Sequence, residues 1–259
     1  MYKKLIEGKK LVLFDLDGTI LNSEPIWQLA FSNILTKEGY SPSIYTEVIN
    51  MPGVPNKNKW EGVLASEPHK NGKSAQKLNE ETIAEFKKIV GNEELDPRPA
   101  FWHLVYYLKV EKELKLGLTT NTDKQTAQFI LNHLGIKETF DYMLFGDDIS
   151  KPKPNPEIYL KALKMANVSN KEALVFEDSP AGAEAANKAN LDLIVIWNTD
   201  IPKSYFPEKT LLFVPSFEGL ANNMDHTIDE AYAEFQKSVL GKENTETVTQ
   251  HPQTQIQPR

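Results

Sequence analysis

The chain has 259 residues, enough for one large domain or for a core domain with a smaller insert. Its 40% hydrophobic and 25% charged residues are typical of a soluble globular protein, and the lack of cysteine excludes disulfides, thiolate metal sites and a cysteine nucleophile. A formal charge of −7 argues against nucleic acid as a partner, because no excess of basic residues offsets the repulsion from phosphate.

At the N-terminus, residues 1–14 contain lysines but lack the apolar stretch and the cleavage site of a signal peptide. No later apolar run approaches the roughly 20 residues that a membrane-spanning helix needs. We therefore predict a cytoplasmic protein that has no membrane partner and for which no protein partner is evident.

The first predicted strand is the apolar run Leu11 to Phe14. From residue 22 to residue 95 only helical patterns follow, and Ser23 with Glu24 before Pro25 indicates a helix start. This block is too long for a single crossover helix between two strands. We therefore predict that residues 22–95 form a helical subdomain inserted after the first strand.

Beyond this block, short apolar runs alternate with helical patterns, which predicts βαβ units and a parallel sheet with helices on both faces. The predicted strands are Leu114 to Leu118, Tyr142 to Phe145, Ala173 to Phe176, Leu191 to Ile196 and, at the edge, Leu211 to Val214. The predicted helices are Lys124 to Leu134, Glu157 to Ala166 and Ala181 to Ala189. The predicted fold class is α/β, with a Rossmann-like parallel-sheet core formed by residues 1–21 and 96–240.

The C-terminal region divides into two parts. Apolar residues recur at helical spacing between Thr227 and Leu240, which predicts an amphipathic helix. Residues 241–259 are polar and rich in glutamine and threonine. Such a segment buries too little surface to offset its ordering entropy, so we predict a disordered tail.

Chemically reactive side chains follow four of the predicted strands. In parallel sheets, ligands bind outside the carboxyl ends of the strands, so we expect these side chains to gather at one edge of the sheet. They are Asp15 and Asp17, Thr120 and Asn121, Lys151 and Lys153, and Glu177 and Asp178.

Each of these residue types suits phosphate chemistry. Asp15 and Asp17 stand two apart, so in an extended chain both carboxylates point to the same side, where one can attack phosphorus and the other can manage a proton. Gly18 lets the chain turn sharply and brings backbone N–H groups close to a phosphate. Glu177 and Asp178 supply the hard oxygen ligands that Mg²⁺ prefers. A threonine and an asparagine offer uncharged donors, and a lysine offers a compact positive charge.

Four motifs combine these residues: DLDGT at 15–19, TN at 120–121, KPNPEIYL at 153–160 and FEDSPAGAEAA at 176–186. In their order and rough spacing they resemble the haloacid dehalogenase superfamily, and within it the branch of phosphoglycolate phosphatases and β-phosphoglucomutase. The resemblance extends from Leu11 to about Ala189, and the inserted block stands where many members carry a mobile helical cap over the active site.

The resemblance implies a phosphatase that uses Mg²⁺ to hydrolyse a small phosphorylated metabolite. Asp15 would be the nucleophile that forms an aspartyl-phosphate. Asp17 would be the general acid and base, and would lend its backbone carbonyl to the metal. The implied site residues are Asp15, Asp17 and Lys153 for catalysis, Thr120, Asn121 and Lys153 for substrate binding, and Asp15, Asp17, Glu177 and Asp178 for the metal.

Structural interpretations of some residues stay open. The carboxylates can belong to a turn or to a helix start, and the Thr-Asn pair can be capping residues. Lys153 fits the third motif better than Lys151, which is expected to be a solvated neighbour. Trp27 and Phe31 can line a cleft or fill the core of the insert. Two further sets are expected in solvated loops: Asp147 with Asp148, and His69 to Lys73. A metal role stays open for the first set, and contact with an anionic substrate stays open for the second.

Two other functions also stay open. A phosphomutase would return the phosphoryl group to its substrate, but the chain has Asn56 where sugar-phosphate mutases have a basic residue, with Lys57 one position away. A binding protein could have kept the fold and lost turnover, which the intact motifs argue against. Asp17 argues against dehalogenase chemistry, because dehalogenases of the superfamily lack the second aspartate.

Overall fold

The computed structural model describes residues 2–41, 44, 56–67, 72–199, 201–221 and 235. Its strands are β1 Leu11–Phe14, β2 Lys115–Thr119, β3 Tyr142–Leu144, β4 Ala173–Glu177, β5 Asp192–Ile196 and β6 Leu212–Val214. They form a six-stranded sheet in the order β3-β2-β1-β4-β5-β6, and every pairing is parallel. Each predicted strand is present with its ends shifted by at most one residue. The predicted α/β, Rossmann-like fold class is confirmed.

The α-helices are α1 Glu24–Glu38, α2 Asn56–Ser66, α3 Ala75–Asn92, α4 Phe101–Tyr106, α5 Lys124–His133, α6 Glu157–Ala166 and α7 Pro180–Lys188, and a π-helical turn, Tyr107–Glu111, extends α4. Helices α4 to α7 cover the two faces of the sheet. Successive residues of a strand point to opposite faces. Val12 and Phe14 therefore pack in one core with α4 and α5, while Leu11 and Leu13 pack in a second core with α6 and α7.

The order of the strands decides where side chains can meet. β1 lies between β2 and β4, with Phe14 in register with both Leu118 and Phe176. The chain adds β2 and β3 on one side of β1 and then β4 to β6 on the other. A ligand crevice is expected at such a reversal, outside the carboxyl ends of the strands. The residues that follow β1, β2 and β4 are thereby brought to one place.

Three described helices, α1 to α3, lie between β1 and α4, where the sequence predicted an insert. They have a core of their own, in which the rings of Phe31 and Trp60 stack with centroids 4.2 Å apart. Trp60 Nε1 donates to Thr82 Oγ1 at 2.9 Å, which satisfies the polar atom of this buried ring. Phe31 thus fills the core of the insert. The domain boundaries at residues 22 and 95 stay a prediction.

Charged residues also tie the insert together. Lys73 Nζ contacts Glu38 Oε1 at 2.8 Å and Glu81 Oε1 at 2.7 Å, which joins α1 to α3. Lys73 is the described end of the basic stretch predicted as a solvated loop, and residues 69–71 lie outside the described residues. Gly39, at φ 77°, ends α1 in the left-handed region that glycine tolerates best.

Two predictions for the C-terminus fall largely outside the described residues. Of the predicted helix Thr227–Leu240 only Phe235 is described, and its buried ring lies 5.9 Å from that of Trp102, centroid to centroid. The predicted tail, residues 241–259, lies wholly outside. Among the helices that the structure describes, none is long and apolar enough to cross a membrane.

Candidate active site

A cavity of about 520 Å³ opens at the carboxyl edge of the sheet, beneath the inserted helices. Its size is typical of a site for a small molecule. All the predicted site residues line it: Asp15, Asp17, Thr120, Asn121, Lys153, Glu177 and Asp178. We call the wall formed by Asp15, Lys153, Glu177 and Asp178 the floor. The roof is the opposite wall, formed by Glu24, Trp27, residues 56–59, Asn79 and Ile83 of the insert.

Lys153 is the central cation of the floor. Its Nζ donates to Asp15 Oδ1 at 2.6 Å, to Glu177 Oε1 at 2.6 Å and to the carbonyl of Thr119 at 2.8 Å, and the side chain is buried. Burial alone lowers the pKa of this lysine, but the two carboxylates more than offset it, so the pKa is raised well above its usual value. Lys151, the competing residue, is exposed to solvent.

Asp15, Glu177 and Asp178 direct carboxylate oxygens to within 4.8 Å of one another. Burial raises the pKa of Asp15, a change that Lys153 opposes and Glu177 reinforces. Burial and the two neighbouring carboxylates likewise raise the pKa of Asp178. Three carboxylates thus share one ammonium group. The cluster therefore has the hard oxygen donors and the excess negative charge that suit a divalent cation.

Glu177 is fully buried, and both of its oxygens accept hydrogen bonds. Oε1 accepts from Lys153 Nζ and, at 3.2 Å, from Tyr159 Oη. Oε2 accepts from the backbone N–H groups of Asp178 and Ser179, at 3.0 and 3.1 Å, and from Ser179 Oγ at 3.1 Å. Glu177 therefore holds Lys153 beside Asp15 and also fixes the turn that leads into α7.

Gly18 leaves space for the carboxylate of Asp178. Its φ of 78° lies in the left-handed region, and a Cβ at this position would stand 1.9 Å from Asp178 Oδ2. The loop after β1 therefore needs glycine on two counts, backbone conformation and space. Thr19 Oγ1 donates to Asp178 Oδ1 at 3.2 Å from the same loop.

Asp17 is held by three donors from two parts of the chain. Its Oδ1 accepts from Ser23 Oγ at 2.7 Å and from Trp27 Nε1 at 3.0 Å. Its Oδ2 accepts from Thr122 Oγ1 at 2.6 Å. The indole ring of Trp27 stacks on Phe86, with centroids 3.7 Å apart, so Trp27 links Asp17 to both α1 and α3. Trp27 thus lines the cleft, whereas Phe31 does not.

The predicted phosphate-binding pair is also engaged with the protein. Asn121 Oδ1 accepts from the backbone N–H of Lys153 at 3.0 Å, and its Nδ2 donates to the carbonyl of the same residue at 3.4 Å. Thr120 is buried, and its Oγ1 accepts from the N–H of Thr122 at 3.1 Å. The Asn121 amide therefore positions the loop that carries Lys153.

Sequence reasoning missed three residues of this network. Ser23 was read only as a helix start, although its side chain forms no capping bond and turns to Asp17 instead. Thr122 is the last residue of the hydroxyl-rich run after β2, and this run was the one feature of the sequence that pointed to it. Tyr159 lies within the third motif, and nothing in its spacing indicated the bond to Glu177. Asp147 and Asp148 are exposed, as predicted for a surface loop.

The fold and the site define an α/β enzyme whose carboxylates and lysine meet at the switch point of a parallel sheet. The sequence profile of the haloacid dehalogenase-like hydrolases matches residues 12–196. The chain belongs to this family.

Known proteins similar to this chain include phosphatases. The phosphorylated carbohydrates phosphatase of Thermotoga maritima is 32% identical over 185 residues, which cover 71% of this chain and 82% of that protein. The validoxylamine A 7′-phosphate phosphatase of Streptomyces hygroscopicus is 30% identical over 192 residues, 73% of this chain and 86% of that protein. A Thermotoga maritima crystal structure assigned as a β-phosphoglucomutase is 27% identical, with a TM-score of 0.68, and the match covers 82% of this chain and 97% of that one.

These similarities confirm the predicted superfamily, its phosphatase and β-phosphoglucomutase branch, and the predicted enzyme class, a hydrolase of phosphate monoesters.

Proposed function

We propose that this protein is a Mg²⁺-dependent phosphatase that hydrolyses a small phosphorylated metabolite through an aspartyl-phosphate on Asp15. One observation carries the proposal: Asp15, held by Lys153, and Asp17, held by three donors, open into the same cavity. The relatives named as phosphatases of phosphorylated carbohydrates and of validoxylamine A 7′-phosphate support a sugar-like substrate.

In the first step, Asp15 attacks phosphorus and the bond to the ester oxygen breaks. Lys153 occupies Asp15 Oδ1, and among the described residues none donates to Oδ2, so we assign the attack to Oδ2. Asp17 transfers a proton to the departing oxygen, which leaves as an alcohol. Lys153 and the donors after β2 stabilise the charge that develops on the phosphoryl oxygens.

In the second step, a water molecule attacks the phosphorus of the aspartyl-phosphate. Asp17, now ionised, accepts the proton of that water, and the bond between phosphorus and the Asp15 oxygen breaks. Phosphate leaves, and both aspartates return to their starting protonation states. The hydroxyls of Ser23 and Thr122 can donate to Asp17 when it is ionised and can turn to accept when it is protonated, whereas the indole N–H of Trp27 can only donate.

The negative charge and the oxygen donors of Asp15, Glu177 and Asp178 suit a divalent cation. Asp15, Asp178 and the backbone carbonyl of Asp17 would hold Mg²⁺, with Glu177 as a further ligand. Bound Mg²⁺ supplies positive charge that neutralises phosphate oxygens. Glu177 could join the ligand set only by giving up one of its present bonds, since both of its oxygens already accept donors.

Phosphomutase activity is the second candidate, favoured by the similarity to a structure assigned as a β-phosphoglucomutase. A mutase would transfer the phosphoryl group from Asp15 to a second hydroxyl of the sugar instead of to water. Accumulation of a sugar bisphosphate together with an isomerised monophosphate would identify it. Release of inorganic phosphate in equal amounts with the free sugar supports the phosphatase.

The main test is Asp15→Asn, an isosteric change that removes the nucleophile and keeps the shape of the site. We expect hydrolysis of p-nitrophenyl phosphate to be lost, and we expect a phosphoryl group on the peptide containing Asp15 only in acid-quenched wild-type enzyme. Asp148→Asn is the matched control, because among the described residues Asp148 Oδ2 accepts only the N–H of Phe145, in a surface turn. Retained turnover in Asp15→Asn contradicts the proposal.

Removal of the metal is the second test. A chelator should abolish hydrolysis and Mg²⁺ should restore it. Ca²⁺ should bind and inhibit, because it accepts more ligands at longer distances and can engage the attacking carboxylate through both oxygens. Full activity in excess chelator, or with Ca²⁺ alone, argues against the metal role.

A further inference from the structure

The roof contains a charged pair that the proposed chemistry does not use. Lys59 on α2 is only 6% exposed, and its Nζ lies 4.0 Å from Glu24 Oε1 on α1. Lysine is rarely buried to this degree without a close partner. Burial lowers its pKa, and Glu24 opposes the change without cancelling it. Both side chains line the active-site cavity.

The distance between these two groups is informative. At 4.0 Å they are too far apart for a direct hydrogen bond, yet close enough for a single oxygen atom to contact both. That oxygen would have to accept from the ammonium group and donate to the carboxylate. A hydroxyl does both, as a water molecule does, whereas a fully ionised phosphate or carboxylate oxygen cannot donate and an ammonium group cannot accept. Among the groups of a ligand, the pair therefore favours a hydroxyl that takes the place of such a water molecule.

The remainder of the roof is consistent with such a ligand. Asn56, Asn58 and Asn79 line the cavity, and each carboxamide offers both a donor and an acceptor. Trp27 and Ile83 add apolar surface between them. Hydroxyls that alternate with C–H groups, as in a polyol or a sugar, match this mixture. At the position between Lys59 and Glu24, a second phosphate would meet the Glu24 carboxylate and be repelled by it, although the exposed Lys57 also lines this wall.

We infer that Lys59 and Glu24 together bind a hydroxyl of the leaving alcohol and select monophosphates of neutral polyhydroxylated compounds over bisphosphates and phosphorylated acids. The inference rests on the proposed phosphatase function and concerns the alcohol half of the substrate. Lys59 and Glu24 are specificity residues, with no part in the transfer of the phosphoryl group.

The experiment compares substrates that differ in hydroxyls and share a primary alkyl phosphate. Hexose and hexitol 6-phosphates are assayed beside cyclohexylmethyl phosphate, which has a similar size and no hydroxyl. For the wild type we expect a higher kcat/KM with at least one of the polyol phosphates. Lys59→Met should lower that kcat/KM by about 10- to 100-fold, the range for loss of a hydrogen bond to a charged group. Cyclohexylmethyl phosphate should be affected less than about threefold, since that substrate never made the bond.

Glu24→Gln and the double variant, which combines it with Lys59→Met, complete a double-mutant cycle. Glutamine keeps the size of Glu24 and removes its charge, so the loss should again be confined to polyol phosphates. The double variant should lose less than the product of the two single effects, because both groups bind the same hydroxyl.

Lys88→Met is the matched control. Lys88 lies on α3 of the same insert, is exposed and does not line the cavity, so the substitution should change kcat/KM for polyol monophosphates by less than about threefold. Thermal unfolding of each variant separates a folding defect from lost recognition: a purely structural Lys59 would lower stability and reduce turnover of all substrates in equal proportion, which overturns the inference.

The outcomes also separate this inference from the function on which it rests. If the wild type fails to hydrolyse even p-nitrophenyl phosphate, the phosphatase proposal is wrong. If it hydrolyses that ester but prefers cyclohexylmethyl phosphate or a sugar bisphosphate to every polyol monophosphate, only the present inference is wrong. A larger effect of Lys88→Met than of Lys59→Met would overturn it as well.

Discussion

On the floor of the cavity, Lys153 contacts Asp15 and Glu177 at 2.6 Å, and all three side chains are buried. On the roof, Lys59 and Glu24 are 4.0 Å apart, and Glu24 is partly exposed. Both walls place a lysine beside a carboxylate, yet only on the floor are the two groups close enough for a direct hydrogen bond. Groups that stabilise a transition state act best when their dipoles are fixed in advance, whereas groups that recognise a substrate must leave room for it.

The secondary-structure elements that carry the floor and the roof also differ. The floor residues follow β1, β2 and β4, which are neighbours in one sheet with both faces covered. The roof residues belong to α1, α2 and α3. These helices share a small core around Phe31 and Trp60, while Ala30 of α1 and Phe86 and Val90 of α3 pack into one core of the sheet. We therefore expect substitutions of roof side chains that line the cavity to affect activity less than substitutions on the floor. Three predictions test this difference, in order of decreasing expected effect.

Lys153→Ala should disrupt the floor. Loss of the ammonium group leaves two buried carboxylates without their cation, and kcat should fall by about 10²–10³-fold. Lys153 lowers the pKa of Asp15, so its removal should also move the acidic limb of the pH–rate profile to higher pH. Lys151→Ala, at an exposed position, should have little effect. A reversal of the two results would mean that the third motif is misaligned by two residues.

Gly18→Ala should weaken metal binding on the floor. The left-handed backbone costs about 1–2 kcal/mol for alanine, and the new methyl group would also displace Asp178. We expect the Mg²⁺ concentration for half-maximal activity to rise by about 10–100-fold. Gly39→Ala is the matched control, because Gly39 has a φ of 77° and no atom within 4 Å of the added Cβ. Equal Mg²⁺ requirements in the two variants would argue against the role given to Asp178.

Trp27→Phe tests the one roof residue that bonds to a catalytic group. Phenylalanine keeps the stack on Phe86 and loses the N–H that Asp17 Oδ1 accepts. We expect the single-turnover rate of phosphoenzyme formation to fall by up to about tenfold with alkyl phosphates. It should change little with nitrophenyl phosphate, whose leaving group needs little protonation.

Trp60→Phe is the control for that variant, because it also removes one indole N–H bond, but inside the core of the insert. It should lower the melting temperature and leave the ratio of alkyl to nitrophenyl rates unchanged. If Trp27→Phe leaves that ratio unchanged too, the bond to Asp17 has no part in positioning the general acid.

Much of this protein could be read from its sequence because the signals are local. A strand such as Leu11 to Phe14 is a short apolar run, and a parallel sheet collects whatever follows its strands. Asp15, Lys153 and Asp178 were therefore predicted to meet, although 138 positions separate the first two along the chain. The α6 bounds, Glu157–Ala166, matched the prediction at both ends, where Pro156 precedes the helix and Asn167 ends it in the left-handed region.

The contacts of individual side chains could not be read from the sequence. Thr122 reaches Asp17 across 105 positions, and Lys59 approaches Glu24 from a different helix, so neither contact has a local pattern. The order of elements, the family motifs and the set of reactive groups follow from the sequence, because periodicity and motif spacing are properties of neighbouring residues. Which of those groups contact one another and which stay open to a ligand depends on the packing of the sheet, its loops and the insert, because burial and distance depend on residues far apart in the chain.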